Sequence, residues 1–232
     1  MSETAEATQA QEEVKEREPL FSKKNRKLIT DPLDDNNPIT VQVLGICSAL
    51  AVTVMVENAI VMSISVVAVM VFANLIMSLI RNAVPNRIRI IVQLVVVAML
   101  VILVDQVLKA FVYDVSKQLS VFVGLIITNC IIMGRIEAFA LGNKAWPSML
   151  DGFGNALGYG LILVVVAVFR EVFGSGKFMG IELFGDATEG TGLYATGYVN
   201  NNMMILPPMA LVIVGIYIWV QRSRNKKLIE EN

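Results

Sequence analysis

Two cysteines, Cys47 and Cys130, are the residues of this chain with the most distinctive chemistry. Each lies near the middle of an uncharged, apolar stretch, and the chain contains no histidine. A pair of soft thiolates at mid-membrane depth suits an iron–sulfur centre, but such a centre takes four ligands. Because this chain offers only two, we expect a second polypeptide to supply the other half of the site.

A simpler role for the two cysteines is also open. A cysteine in an apolar helix commonly acts as a small hydrophobic residue that packs in the core. A disulfide is disfavoured, because both thiols are embedded in membrane-length stretches and face a mostly reducing side. The residues alone therefore leave two interpretations: metal ligands shared with a partner, or packing residues.

The elements that must position the cysteines are membrane-spanning helices. Apolar residues make up 55% of the 232 positions, and the mean hydropathy is +0.64. A hydrocarbon core of about 30 Å needs roughly 20 helical residues, and backbone in lipid is helical unless it closes into a barrel. We predict an all-α membrane protein with six transmembrane helices, formed by 38–56, 59–80, 90–104, 119–134, 153–169 and 203–220.

The six predicted helices form one domain, 38–221, between two predicted cytoplasmic segments. Residues 1–37 have the composition of a disordered, Glu-rich tail followed by a short basic anchor, and 222–232 form a C-terminal tail. The domain divides into three-helix halves at about 38–110 and 119–221, each with one cysteine. An odd number of helices per half predicts two inverted repeats, with a site at the midplane.

Local residues favour breaks in the first and fourth helices. Gly45 stands just before Cys47, and Thr128 and Asn129, two good capping residues, stand just before Cys130. A half-helix that begins at each cysteine would stabilise negative charge on sulfur through its free N–H groups.

Glycines in the fifth predicted helix indicate close packing. Gly154 and Gly158 are four residues apart, and Gly152 and Gly160 lie nearby. Small residues at this spacing let two helix backbones approach each other within a membrane. We therefore expect the fifth helix to make a close contact with a neighbouring element.

Basic residues predict the orientation of the chain. With six alternating helices, one side of the membrane carries Lys23, Lys24, Arg26, Lys27, Arg81, Arg87, Arg89, Arg135, Lys144, Arg222, Arg224, Lys226 and Lys227, and the other only Lys109, Lys117, Arg170 and Lys177. Because basic loops stay in the cytoplasm, both termini are expected there. The net charge of −1 gives no indication of a nucleic-acid partner, and we expect none.

Four charged residues in or near the predicted helices are further candidates for function. A charged side chain at a helix centre costs about 2.5–3.5 kcal/mol to insert. Asp105, at the outer end of the third helix, and Asp151, at the inner start of the fifth, are candidates for a cation path, although both could be caps at the headgroup level. Arg135 and Glu137 follow Cys130 closely, and we expect them to pair with each other or to dock an electron donor.

The segments around both cysteines resemble a known family. QVLGICSALAVT at 42–53 and GLIITNCIIMGRIEAFA at 124–140 are similar to the D/E-type membrane subunits of the sodium-pumping NADH:quinone oxidoreductase, Nqr, and of the related Rnf complex. VDQVLKAFVYDVSKQLS at 104–120, and the stretch from DGFGN at 151 to FREVFGSGK ending at 177, resemble the D-type subunits of Nqr in particular. The resemblance covers about residues 34–221.

This resemblance implies a site and a set of partners. The family's D-type and E-type subunits are homologous six-helix proteins of opposite orientation, and each gives two cysteines to one iron–sulfur centre between them, expected to be of the 2Fe-2S type. The implied ligands on this chain are Cys47 and Cys130. The implied partners are the homologous E-type subunit, the other subunits of a six-subunit Nqr complex, and the lipid of the bacterial inner membrane. No flavin bound covalently by this chain is expected.

The function implied by the resemblance is electron transfer. The centre accepts electrons from the cytoplasmic NADH-oxidising subunit and passes them to a flavin on the periplasmic side, within an NADH:ubiquinone reductase that transports Na⁺. This chain alone is expected to hold no complete active site. Two alternatives remain: the equivalent subunit of the Rnf complex, which exchanges electrons with ferredoxin, and a secondary transporter with structural cysteines. Serine rather than proline after Cys47 favours the Nqr form.

Overall fold

The computed structural model describes residues 28–33, 36–85, 87–111, 124–175, 177–178, 181–182 and 202–224. The α-helices that build the fold are, in chain order, α1 Ile46–Val52, α2 Val56–Ile80, α3 Arg89–Phe111, α4 Cys130–Arg135, α5 Ala145–Ser175 and α6 Pro207–Arg224. The smaller elements are the 3-10 helices Asp31–Leu33 and Asn202–Ile205, the π-helical Ile136–Ala140 that continues α4, and the antiparallel strands β1 Lys177–Phe178 and β2 Ile181–Glu182.

Within the described part of the chain, three helices are long and apolar enough to cross a membrane, judged by length and composition. They are Val56–Ile80, Arg89–Ala110 and Ala145–Gly174. They confirm the second, third and fifth predicted spans as continuous helices. Helix α2 has 25 residues, which at about 1.5 Å per residue exceeds a hydrocarbon core of about 30 Å.

The other three predicted spans take different forms. The first consists of turns followed by the seven-residue α1. The fourth, where described, is a helical turn at 124–127, a break, and then α4 with its π-helical continuation. The sixth is α6, with 18 residues. The six-helix topology and the inverted repeats stay predictions, because the residues that join the two halves, 112–123, lie outside the described residues.

Helices α2 and α5 form the centre of the fold and run antiparallel. Asn74, near the end of α2, donates from Nδ2 to the carbonyl of Ser148, near the start of α5, at 3.1 Å. A Cβ at Gly152 would lie 2.6 Å from the Asn74 side chain, and one at Gly160 would lie 3.0 Å from Ser63 Cβ. The glycines let the two backbones approach, which confirms the close packing predicted for the fifth helix.

Gly154 and Gly158 contact a different neighbour, the segment that precedes α1. A Cβ at Gly154 would lie 2.6 Å from the carbonyl oxygen of Leu28. Asn37 donates from Nδ2 to the carbonyl of Gly158 at 3.1 Å. The last part of the predicted N-terminal tail is therefore packed against α5, whereas residues 1–27 lie outside the described residues, as does the end of the C-terminal tail.

Arg170, near the end of α5, binds the end of α1 and the segment before α6. Its buried guanidinium donates to the carbonyl of Leu50 at 3.1 Å and to Thr53 Oγ1 at 2.6 Å. It also donates to the carbonyls of Met204 and Ile205, just before α6. The last carbonyls of a helix have no partner within that helix. One arginine therefore satisfies the end of α1 and ties it to the start of α6.

Glu171 supports the next helix in the same way. Its Oε2 accepts a hydrogen bond of 2.5 Å from the backbone N–H of Val56, the first residue of α2. A carboxylate is favourable there because it meets free N–H groups and the positive end of the helix dipole. Two adjacent residues of α5 thus support both sides of the junction between α1 and α2, the end of one helix and the start of the next.

We expect Gly152→Ala to destabilise the protein, because the added methyl would push the Asn74 side chain away from Ser148. Overpacking of this kind costs about 1–3 kcal/mol. The matched control is Gly215→Ala in α6, where a Cβ would meet nothing within 4 Å. The control should be neutral or slightly stabilising, since alanine is the better helix former. The melting temperature in detergent measures both variants, and an equal response would contradict the packing of α2 on α5.

Candidate functional site

Cys47 and Cys130 lie at corresponding points of two broken segments. Cys47 is the second residue of α1, and Cys130 is the first residue of α4. Both are free thiols, and both are exposed on the surface of the chain. Neither is buried in the hydrophobic core, so their exposure does not support a role as core packing residues.

The backbone before Cys47 has left-handed geometry at two residues. Val43 has a φ of 57° and Gly45 a φ of 79°. Glycine adopts this geometry readily, whereas a β-branched valine is strained there. Gly45 is constrained a second time, because a Cβ would lie 2.8 Å from Cε2 of Tyr159. The start of α1, and with it Cys47, is therefore held by a residue that must be glycine.

Asn129 sets the start of α4 by capping it. Its backbone is extended, with φ −68° and ψ 119°, and its Oδ1 accepts a hydrogen bond of 3.2 Å from the N–H of Ile131. This is the usual way in which an asparagine satisfies a free N–H at a helix start. Cys130 thus begins a helix directly after its cap, at the break that the capping residues favour.

A hydrogen-bonded cluster joins the two cysteine segments. Asn129 Nδ2 donates to Ser48 Oγ at 3.3 Å and to Tyr159 OH at 3.4 Å, and the two hydroxyl oxygens lie 2.5 Å apart. Ser48 follows Cys47 and Asn129 precedes Cys130, so each cysteine is adjacent in sequence to the cluster. Tyr159 lies near the middle of the 31-residue α5. The cluster is therefore at mid-length of a membrane-spanning helix.

Sequence reasoning missed Tyr159. The sequence feature that could have identified it is a single tyrosine within the apolar run of the fifth predicted helix. A hydroxyl in such a run needs a hydrogen-bond partner inside the protein, because lipid offers none.

The donor groups near the cluster suit half of a metal site. Across the described residues, no group of three or more His, Cys, Asp or Glu side chains could hold a metal ion. The two exposed thiols are soft ligands of the kind that bind iron–sulfur centres. They fit such a centre only if a partner contributes further ligands.

Arg135 and Asp151, which sequence reasoning assigned to different roles, form a buried ion pair. Arg135 Nε donates to Asp151 Oδ2 at 3.0 Å, and a second guanidinium nitrogen contacts Oδ1. The Asp151 side chain is 2% exposed and also accepts from Asn155 Nδ2 at 3.2 Å. The pair connects α4 with α5, so the carboxylate suggested for a cation path has a counter-charge inside this chain.

Glu137 pairs with residues of α3. It forms an ion pair with Arg89 and accepts a hydrogen bond of 2.8 Å from Gln93 Nε2. The Arg89 and Glu137 side chains are 33% and 44% exposed. The expected pairing of Arg135 with Glu137 is therefore wrong, because each charge has its partner on another helix.

Asp105 forms an ion pair of 2.5 Å with Lys109, one turn later in α3. Its Oδ1 is buried and has no hydrogen-bond partner in the part of the chain that the structure describes. The start of α3 is the end that meets Glu137, so Asp105 lies toward the opposite end. A cation path through Asp105 and Asp151 stays a prediction.

These features define a class of protein. Several helices are long and apolar enough to cross a bilayer, and side chains of a neighbouring helix satisfy polar groups at the helix ends. This is a multi-pass helical membrane protein. A family model described as an Rnf-Nqr subunit, membrane protein, matches residues 25–218. The chain therefore belongs to the Rnf-Nqr family.

Curated relatives are similar over most of the chain. They are named as the D-type subunit of the Na(+)-translocating NADH-quinone reductase. The relative from Aeromonas hydrophila is 55% identical over 205 residues, which is 88% of this chain and 95% of the relative. The relative from Photobacterium profundum is 55% identical over 209 residues, 90% of this chain and 97% of the relative. The relative from Tolumonas auensis is 54% identical over 198 residues, which is 85% of this chain and 90% of the relative. The resemblance to the D-type subunits of Nqr is confirmed.

We expect Arg135→Ala to destabilise the protein strongly, because it leaves the buried carboxylate of Asp151 without a counter-charge. Breaking one side of a buried pair costs about 3–5 kcal/mol. The double variant Arg135→Met/Asp151→Leu should recover most of the loss. Arg89→Ala is the matched control, since half-exposed pairs contribute about 0–1 kcal/mol. The measurement is the melting temperature in detergent; a loss for Arg135→Ala no greater than for Arg89→Ala would contradict the expectation.

Proposed function

We propose that this chain is an electron-carrying membrane subunit of a sodium-translocating NADH:quinone oxidoreductase. In this role Cys47 and Cys130 supply two thiolate ligands to an iron–sulfur centre, of the 2Fe-2S type, that is shared with the homologous E-type subunit. The relatives' names, which place them as D-type subunits in the Na(+)-translocating NADH-quinone reductase, support the assignment to this complex. The chain is one part of the oxidoreductase, and the remaining subunits complete it.

One observation carries the ligand assignment. Both thiols are exposed, and each is adjacent in sequence to a buried cluster that joins the two broken segments. Exposed thiols on helices of a membrane protein are available to a neighbouring subunit. Their common attachment to the cluster, through Ser48 and Asn129, keeps the two segments in a fixed relation to each other.

The position of the cluster suits electron transfer across the bilayer. When bound, the centre would supply a one-electron carrier between the cytoplasmic donor and a flavin on the periplasmic side. The hydrocarbon core is about 30 Å thick, and a site at mid-depth divides that distance into two shorter steps. The residues of this chain hold the ligands and exclude water. The hydrophobic core of this chain, which excludes water, includes Val52, Val66, Ile126, Ile131, Ile132, Ile162 and Leu163.

The negative charge of a thiolate centre needs compensation in a medium of low dielectric. The free N–H groups at the starts of α1 and α4 lie at the same helix ends as Cys47 and Cys130. Their partial positive charge would offset part of the unfavourable charge on sulfur. The partner subunit, as a homologue of opposite orientation, would provide the same arrangement from the other side.

We further propose that the membrane is the bacterial inner membrane and that both termini lie in the cytoplasm. Arg81 and Arg87 lie between α2 and α3, and Arg89 is the first residue of α3; a basic connection of this kind supports a cytoplasmic position. The half-exposed pair Arg89–Glu137 is at the same end and is available for docking a cytoplasmic donor. Arg135 is less available for docking, since it is bound to buried Asp151.

The alternatives have less support. A secondary transporter with structural cysteines would bury them as packing residues, and both thiols are exposed. The equivalent subunit of the Rnf complex shares the family model, but the close relatives described above are D-type subunits of the Na(+)-translocating NADH-quinone reductase.

Cys47→Ser and Cys130→Ser should each remove the centre from the assembled complex, because serine keeps the size of cysteine but replaces the soft sulfur ligand. We expect iron per complex to fall by the content of one centre, with loss of its visible absorption band and of NADH-driven quinone reduction. Iron analysis and absorption spectra of the purified complex measure this.

The control for the cysteine variants is Ser63→Ala, which removes a hydroxyl on α2 that contacts the carbonyl of Gly160. It should leave iron and activity unchanged. Full iron content and full activity in both serine variants would refute the ligand assignment.

A further inference from the structure

Tyr159 contacts both cysteine segments at once. Its side chain is fully buried on α5. The edge of its ring lies against Gly45, where an added Cβ would be 2.8 Å from Cε2. Its hydroxyl lies 2.5 Å from Ser48 Oγ and 3.4 Å from Asn129 Nδ2. One side chain thus contacts Gly45, two residues before Cys47, Ser48, directly after it, and Asn129, directly before Cys130.

The hydrogen-bond pattern determines which group donates. Ser48 Oγ lies 2.9 Å from the carbonyl of Gly45, which can only accept. A serine hydroxyl has one hydrogen, so Ser48 gives it to Gly45, and Tyr159 donates to Ser48 Oγ. Asn129 donates from Nδ2 to both hydroxyl oxygens while its Oδ1 caps α4. Every polar hydrogen of the cluster then has an acceptor.

A tyrosine that only filled space would not need its hydroxyl, since phenylalanine occupies nearly the same volume. A buried hydroxyl is unfavourable unless it is hydrogen-bonded. Here the hydroxyl bonds two groups, Ser48 and Asn129, that are 81 positions apart in the chain. The hydroxyl therefore connects the two cysteine segments to each other rather than packing within one of them.

We propose that Tyr159 is a positioning residue for the two thiols. Its ring packs against the start of α1 and thereby fixes that start relative to α5. Its hydroxyl links the start of α1 to Asn129, the cap of α4. A change at this hydroxyl alters the directions of Cys47 and Cys130 together. The inference rests on the proposed function, in which these thiols hold a metal centre with a partner subunit.

The test is Tyr159→Phe in the assembled complex, with Tyr217→Phe in α6 as the matched control. Tyr217 packs at the edge of the hydrophobic core. The measurements are the electron paramagnetic resonance spectrum of the reduced centre, its midpoint potential, and the retention of iron against a chelator. We expect Tyr159→Phe to alter the spectrum, shift the potential and weaken iron retention about 10- to 100-fold, as losses of supporting partners do at metal sites. Tyr217→Phe should match the unmodified complex.

Ser48→Ala is a second variant that removes the acceptor and leaves Tyr159 intact. It should change the spectrum in the same direction. The double variant should add little, because both substitutions remove the same hydrogen bond. Unchanged spectra, potentials and iron retention in Tyr159→Phe and Ser48→Ala would overturn the positioning role.

The cysteine variants separate this failure from failure of the proposed function. If Cys47→Ser and Cys130→Ser lose the centre while Tyr159→Phe behaves like the control, only the role of Tyr159 is refuted. If the cysteine variants keep the centre, the proposed function itself is refuted.

Discussion

Helix ends in a membrane protein leave backbone N–H and C=O groups that lipid cannot satisfy, and the structure depends on how this chain satisfies them. Helix α5 provides the groups. Arg170 binds the end of α1, Glu171 binds the start of α2, and Tyr159 bonds the side chains beside both cysteines. A single long helix thus stabilises both cysteine segments through hydrogen bonds, and those segments carry the only two thiols of the chain.

The local features of the cysteine segments were predictable because few residue types produce them. Gly45 tolerates left-handed backbone, and Asn129 is a strong helix cap, so each marks a break next to a thiol. The long helices α2, α3 and α5 were predictable from hydropathy and length alone. Such signals lie within a few neighbouring residues and do not depend on how the helices pack.

The pairings between helices were not predictable in the same way. Successive residues of a helix point about 100° apart. The rotation of α5 about its axis therefore determines whether the Asp151 side chain contacts Arg135 or lines a path for cations. The same rotation brings Tyr159 to Ser48. Spacing in sequence put Arg135 near Glu137, but tertiary packing gave each a partner elsewhere. The glycine pattern likewise predicted close contact without predicting which neighbour each glycine would meet.

The contact between Asn37 and Gly158 has a consequence for biogenesis. These residues are 121 positions apart, so the ribosome must make most of the chain before the N-terminal segment can settle against α5. Until then the carbonyl of Leu50 in α1 also lacks its hydrogen bond from Arg170. The contacts of the first segment with α5 therefore form only after the fifth helix has been made.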